Sequence, residues 1–277
     1  MSQMRSGVTK RGAWALLRVG LLLALLAGMA ISPPCVSQPR SHLTQQALER
    51  IAAVPYQGSI TFVVMGDTRD NDEVFSFLLR MADRLRPLFI IDLGDFVSSG
   101  LEQEYDHFLG VIKGTKAPVL TALGNHEVIN GGRQFYRALF GPEQYSFDYG
   151  NCRFIVVDNS DGELSAGELR WLEGRLQTNR RKFVFAHEPP ATVRWWHNFR
   201  QGAPEFMALM RRHKVDRVFL GHLHGYDRQV IDGVTYIVTG GGGAPLQLLY
   251  GGTKHHFVIV QVDADRITDL TVALEGQ

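Results

Sequence analysis

Two histidines one residue apart, His222-Leu223-His224, follow the apolar run 215–220, which reads as a strand. A strand sends alternate side chains to one face, so this pair can present both imidazoles to one site. Imidazole suits ions such as Zn, Fe, Mn or Cu. The competing reading is a pair of structural or solvated histidines. Four more apolar runs end in polar clusters: Gly66-Asp67-Thr68-Arg69, Gly94-Asp95, Gly124-Asn125-His126-Glu127 and His187-Glu188. In an α/β sheet, the carboxyl ends of the strands form the ligand crevice. Five such ends meeting would gather carboxylates, a carboxamide and several imidazoles. One Asp after one strand is ordinarily a cap or turn residue. Five clusters of this kind in one chain favour a metal site.

These clusters need a scaffold, and the chain between them supplies one. Apolar, β-rich runs at 60–65, 88–93 and 118–123 alternate with helical periodicity at 72–84 and 102–112, and a helix is expected over 131–140. This βαβ alternation predicts buried strands with helices packed outside. Segments 145–149 and 153–158 flank Gly150-Asn151 and read as a hairpin. Ser165 opens a helix to Gln177, with Glu168 completing a capping box. A strand at 182–186, a helix at 203–212 and strands at 215–220, 234–239, 257–262 and 267–273 follow. The pattern implies two packed sheets with helices on both outer faces.

The ordered set of clusters resembles the motifs of the calcineurin-like metallophosphoesterase superfamily, from about residue 60 to His224. The resemblance implies an α/β fold, a four-layer α/β/β/α sandwich of two mixed sheets. It also implies a centre of two divalent or trivalent metal ions (Mn, Fe or Zn) and a phosphate-ester substrate. Carried over residue by residue, Asp67 and His224 match ligands of the first metal, and Asp95 matches the carboxylate shared by both. Asn125, His187 and His222 match ligands of the second. His126 matches the non-ligand histidine that stabilises the transition state or protonates the leaving oxygen, as a nearby imidazole can.

Two stretches depart from the motif. The first cluster usually reads Asp-x-His, but here the third residue is Arg69. Arginine stays protonated and cannot ligate a metal, so the first metal loses a ligand. Arg69 is then a catalytic and substrate-binding candidate that grips a phosphate oxygen, or it pairs with a nearby acid such as Asp70 or Asp72. Ser98 and Ser99 replace the Asp-Arg pair of Ser/Thr protein phosphatases, and Ser98 stands where purple acid phosphatases carry a tyrosine ligand. Three further features stay open. The run Arg194 to Arg200 could form an aromatic substrate rim or pack its tryptophans on the body. Gly240–Gly243 and Lys254-His255-His256 could line the site. Tyr226 and Asp227 could orient ligands.

The bulk numbers fit one domain behind a leader. The chain has 277 residues, 45% hydrophobic and 21% charged, with a formal charge of +1. Residues 1–34 carry Arg5, Lys10, Arg11 and Arg18 and no acid, so removing them takes the charge from +1 to −3. That balance offers no electrostatic case for a nucleic-acid-binding module. A basic start, an apolar run at 19–31 and Pro33-Pro34 resemble a secretory signal peptide or an N-terminal membrane anchor. Residues 35–56 then read as a linker with a short helix at 44–53, and 57–277 as the catalytic domain. Cys35 and Cys152 are the only cysteines, which argues against a thiolate metal site. The expectation is an exported, periplasmic or secreted phosphohydrolase, with its oligomeric state open. The rivals are a ligand-binding protein on the same scaffold and a metal hydrolase of another fold.

Overall fold

A computed structural model describes residues 42–274 except Val193 and His197. The leader and its signal-peptide or anchor reading, with Cys35, lie outside the described residues. The described residues belong to one compact unit. It therefore includes helix α1 (Leu43–Ala52), which buries Ala47 and Ile51 in the core. No helix among the described residues is long and apolar enough to cross a membrane.

Strands β1 (Ile60–Met65), β2 (Ile90–Asp92) and β3 (Val119–Thr121) pair in parallel. Helices α2 (Asp72–Arg84) and α3 (Glu102–Ile112) connect them. The chain continues as α4 (Asn125–Val128), a 3-10 turn, and α5 (Arg133–Leu139). The expected helix over 131–140 thus starts later. Asn130 adopts positive φ, which breaks the helical path before it. The hairpin β4 (Tyr145–Tyr149) and β5 (Cys152–Val156) forms as expected. Then come α6 (Ala166–Leu176), β6 (Arg181–Ala186), α7 (Ala203–Arg212) and β7 (Arg217–Leu220). Strand β8 (Tyr226–Ile231) escapes the sequence reading. Its pattern of half-buried and exposed residues is that of an edge strand, with no buried run to announce it. Last are β9 (Val234–Thr239), β10 (His256–Val262) and β11 (Ile267–Ala273).

Two sheets result, ordered β11-β10-β1-β2-β3 and β4-β5-β6-β7-β9-β8. Three apolar layers separate four structural layers. Phe62, Phe89, Phe154, Phe183, Phe185 and Phe219 fill the space between the sheets. Phe75, Leu78, Tyr105, Phe108 and Tyr136 bury the outer face of the first sheet under α2, α3 and α5. Leu172, Leu176, Phe206 and Met210 do the same for the second under α6 and α7. The four-layer α/β/β/α sandwich expected from the motif resemblance is present. Parallel pairing then levels the strand ends. Met65 lies opposite Asp92, and Asp92 opposite Thr121, while Ala186 lies opposite Leu220. Residues one to four positions beyond these ends therefore emerge at similar heights.

Candidate metal centre

The five clusters converge. Asp95 Oδ1 is 3.3 Å from His187 Nε2, and Asn125 Oδ1 is 3.1 Å from that nitrogen and 2.9 Å from His222 Nδ1. Asp67 Oδ1 is 3.4 Å from His224 Nε2. Among the described residues, two groups could hold metal ions, Asp95-His187-His222 and Asp67-Asp95-His224, and Asp95 belongs to both. Asn125 adds an oxygen to the first. His126 stands beside them, its Nε2 3.7 Å from Asp95 Oδ2.

The donor atoms fit a cation. His187 Nδ1 donates to the Leu93 carbonyl at 2.9 Å, and His224 Nδ1 donates to the Pro245 carbonyl at 2.8 Å. Each ring thereby turns its Nε2 toward carboxylate or amide oxygens. Lone pairs that face one another need a proton or a metal ion between them. Asp67 Oδ1 is buried with no hydrogen-bond partner, which a cation would satisfy. A hard carboxylate with neutral imidazole and amide donors suits divalent or trivalent ions.

Without a metal, protons take that place. Burial opposes a charge on His187, but Asp95 beside it prevails and pushes His187 up to about 10. Burial raises Asp95, but the charge of His187 holds it well below the usual carboxylate range. Burial and His187 together push His222 down to about 4. A raised histidine stabilises the fold fully below its unfolded value of about 6.5 and loses that contribution as pH rises through its folded value. Chelator-treated protein is therefore expected to lose thermal stability between about pH 6.5 and pH 10. Metal binding must displace the His187 proton, so added Mn2+ should stabilise the protein more as pH rises. Melting curves across this range, with chelator and with Mn2+, check both slopes. A metal-free profile that stays flat would remove the His187–Asp95 account.

Backbone geometry aims these groups. Asp67, Asp95 and His222 all adopt positive φ, at 57°, 59° and 67°. Such strain in residues with a Cβ persists where the surroundings impose it. Gly124 permits the closest approach, because a Cβ there would lie 2.2 Å from Asp95 Oδ1. The Gly240 run after β9 has the same purpose, since a Cβ at Gly240 would lie 2.6 Å from Asp67 Oδ2. The open question of Gly240–Gly243 therefore resolves to close packing against the site.

A ring of buried polar residues braces the donors, and sequence reasoning assigned it no role. Glu127 accepts the backbone N–H groups of Asp95, Phe96, Val97 and Gly124 at 2.7–3.0 Å. Asn159 Oδ1 accepts the N–H groups of His187 and Glu188, and its Nδ2 donates to the Glu188 carbonyl. Asp92 accepts from Thr68 Oγ1 at 2.7 Å and from the Gly94 N–H. The available signal was position: Glu127 ends the Gly124-to-Glu127 cluster, and Asn159 lies just beyond the end of β5. Asp227 departs from its expected part. It accepts Trp195 Nε1 at 2.9 Å and pairs with Arg194, so it anchors that loop rather than orienting His222 or His224. Trp195 is buried, whereas Trp196 is exposed.

Arg69 pairs with Asp70, one of the two readings the sequence left open. Its Nε lies 3.9 Å from Asp95 Oδ2 and is buried without a hydrogen-bond partner. Ser98 Oγ donates to Asp70 at 2.5 Å, and the Ser98 carbonyl accepts His126 Nδ1 at 2.6 Å.

A family model for calcineurin-like phosphoesterases matches residues 60–226, a span that includes every candidate ligand. The chain belongs to the calcineurin-like phosphoesterase family. It is 28% identical over 194 residues to a probable cyclic nucleotide phosphodiesterase of Rhodopseudomonas palustris, covering 59% of this chain and 71% of that one. It is 26% identical to a glycerophosphodiester phosphodiesterase of Enterobacter lignolyticus, over 51% of this chain and 57% of the relative. Among solved structures, a purple acid phosphatase from yellow lupin shares the fold with a TM-score of 0.65 at 19% identity. That match covers 80% of this chain and 53% of the lupin chain, so this chain spans about half of the lupin enzyme. The two curated relatives are named as phosphodiesterases, in keeping with a phosphate-ester hydrolase.

Proposed function

We propose that this protein is an exported metal-dependent phosphoesterase that hydrolyses phosphate mono- or diesters by in-line displacement with water at a dinuclear centre. The observation that carries this reading is the convergence of Asp67, Asp95, Asn125, His187, His222 and His224, with lone pairs turned inward and Asp95 common to both groups. Asp95, Asn125, His187 and His222 would hold one ion, and Asp67, Asp95 and His224 the other. Bound ions would supply Lewis-acid stabilisation of the phosphoryl oxygens and a water of lowered pKa.

The remaining work falls to the chain. His126 donates Nδ1–H to the Ser98 carbonyl, which fixes its ring and leaves Nε2 facing the centre. When the ring carries a second proton on Nε2, that proton passes to the leaving oxygen, and the neutral ring keeps its Nδ1–H on Ser98. Arg69 presents Nε–H toward the same space and binds a phosphoryl oxygen while Asp70 holds its Nη1. The names of the phosphodiesterase relatives favour diesters over monoesters. The leader resemblance supports export, with cleavage or anchoring as its two forms.

Dialysis against a chelator is expected to abolish hydrolysis of generic aryl phosphate mono- and diesters, and added Mn2+ to restore it. Full activity in chelator would overturn the mechanism. A second reading, a phosphate- or ligand-binding protein with weak or no catalysis, draws on Arg69 standing where the motif carries a histidine. Ester binding without turnover at saturating Mn2+ would favour it.

A further inference from the structure

We propose that Arg69, braced by Asp70 and Ser98, makes the two halves of the centre unequal. One metal ion is held tightly by Asp95, Asn125, His187 and His222. The Asp67–His224 half takes a second ion only weakly, because a guanidinium borders it. This inference rests on the metal-centre reading above and concerns how that centre fills.

The two oxygens of Asp95 face different neighbours. Oδ1 faces His187 Nε2 at 3.3 Å and accepts the His126 N–H at 3.0 Å. Oδ2 faces His126 Nε2 at 3.7 Å and Arg69 Nε at 3.9 Å. A cation on the Asp67–His224 half that shares Oδ2 meets a permanent positive charge there. Arginine offers that ion no lone pair. The guanidinium is not free to swing aside, since Nη1 pairs with Asp70 and Asp70 accepts from Ser98 Oγ at 2.5 Å. Ser98 is itself tied to His126 through its carbonyl, so the arginine and the histidine are held by one loop. The donor inventories differ as well. One half collects atoms from Asp95, Asn125, His187 and His222, and the other collects from Asp67, Asp95 and His224 alone.

Fewer donors and a fixed like charge act in the same direction. Losing a group that merely orients a ligand already weakens metal affinity by about 10- to 100-fold. A missing donor combined with a facing cation is expected to separate the two sites by at least about a hundredfold. Arg69 then supplies, as part of the chain, some of the positive charge that a phosphoryl group would meet.

The test measures metal binding rather than turnover. Full-length protein is stripped with chelator and titrated with Mn2+, and bound metal is counted by mass spectrometry and calorimetry. The wild type is expected to hold one ion per chain at low micromolar free Mn2+ and a second only at about a hundredfold higher concentration. Arg69→His, which adds a donor, should bring the two affinities to within about tenfold. Arg69→Gln removes the charge without adding a strong donor and should tighten the second site by an intermediate factor. It keeps the inference testable if melting curves show that Arg69→His does not fold. Two equivalent ions in the wild type, or a second site unmoved in both variants, overturns the inference and leaves the metal-centre reading intact. Absence of any bound ion in the wild type overturns both.

Discussion

Asp95→Asn is expected to cut hydrolysis by at least about a thousandfold, roughly 4 kcal/mol of transition-state stabilisation. The same change should drop bound metal well below that of the wild type. Asparagine is nearly isosteric, so the loss would report on charge rather than shape. The Asp95 carboxylate belongs to both candidate metal groups and is buried at 1% exposure. It also faces His187, His126 and Arg69 within 3.9 Å. An amide nitrogen in place of either oxygen would aim N–H groups at Nε2–H or at a cation. Breaking a buried charged pair by removing one member costs more than the pair contributed, because the remaining charge stays uncompensated. Metal content by mass spectrometry and kcat/KM on an aryl phosphate check both effects. Unchanged metal and rate in a folded variant would refute the shared-carboxylate reading.

Glu127→Gln should be the most destabilising single change near the site, at about 3–5 kcal/mol. Glu127 is fully buried, and its side chain accepts four backbone N–H groups. Oε2 takes those of Asp95 and Gly124, and Oε1 those of Phe96 and Val97. Burial, then the charge of Asp95, pushes its carboxyl up to about 7, and the N–H groups of Asp95 and Val97 oppose that rise. No acceptor among these contacts would receive a proton, so the geometry serves the charged form. Glutamine keeps one oxygen and sets an NH2 group against two N–H donors. For a domain of this size, each 1 kcal/mol shifts Tm by about 2–4 °C, so a fall on the order of 10 °C is expected. Thermal melts of wild type and variant at pH 8 test this. A Tm within about 2 °C of wild type would show that the four-donor clamp is not a main stabiliser. Because Asp95 and Gly124 hang on one Glu127 oxygen, metal affinity should weaken too.

The candidate metal groups were legible because strand-end chemistry is local. Gly-Asp, Gly-Asn-His-Glu and Gly-His-x-His each occupy a few adjacent residues, and periodicity on either side marks the strands that carry them. Strand β8 was not legible, since its half-exposed edge residues lack the contrast that periodicity needs. Nor was Asn159, which reaches His187 from 28 residues away. The Trp195-Trp196 pair shows the limit well. The two neighbours are chemically alike, yet one is buried against Tyr236 and the other is exposed.

The sequence by itself determined the layered α/β class, and its resemblance to the family motifs named the six candidate metal-binding side chains and the anomalous arginine, since periodicity and short motifs are properties of neighbouring residues. Only the tertiary structure decided that Arg69 is pinned by Asp70 and Ser98, and that Glu127 and Asn159 brace the candidate site. The site as a whole rests on distances of a few ångströms between residues far apart in the chain, 155 positions in the case of Asp67 Oδ2 and the His222 N–H. They depend on how two sheets stack and level their strand ends, and no local pattern in the chain encodes that separately.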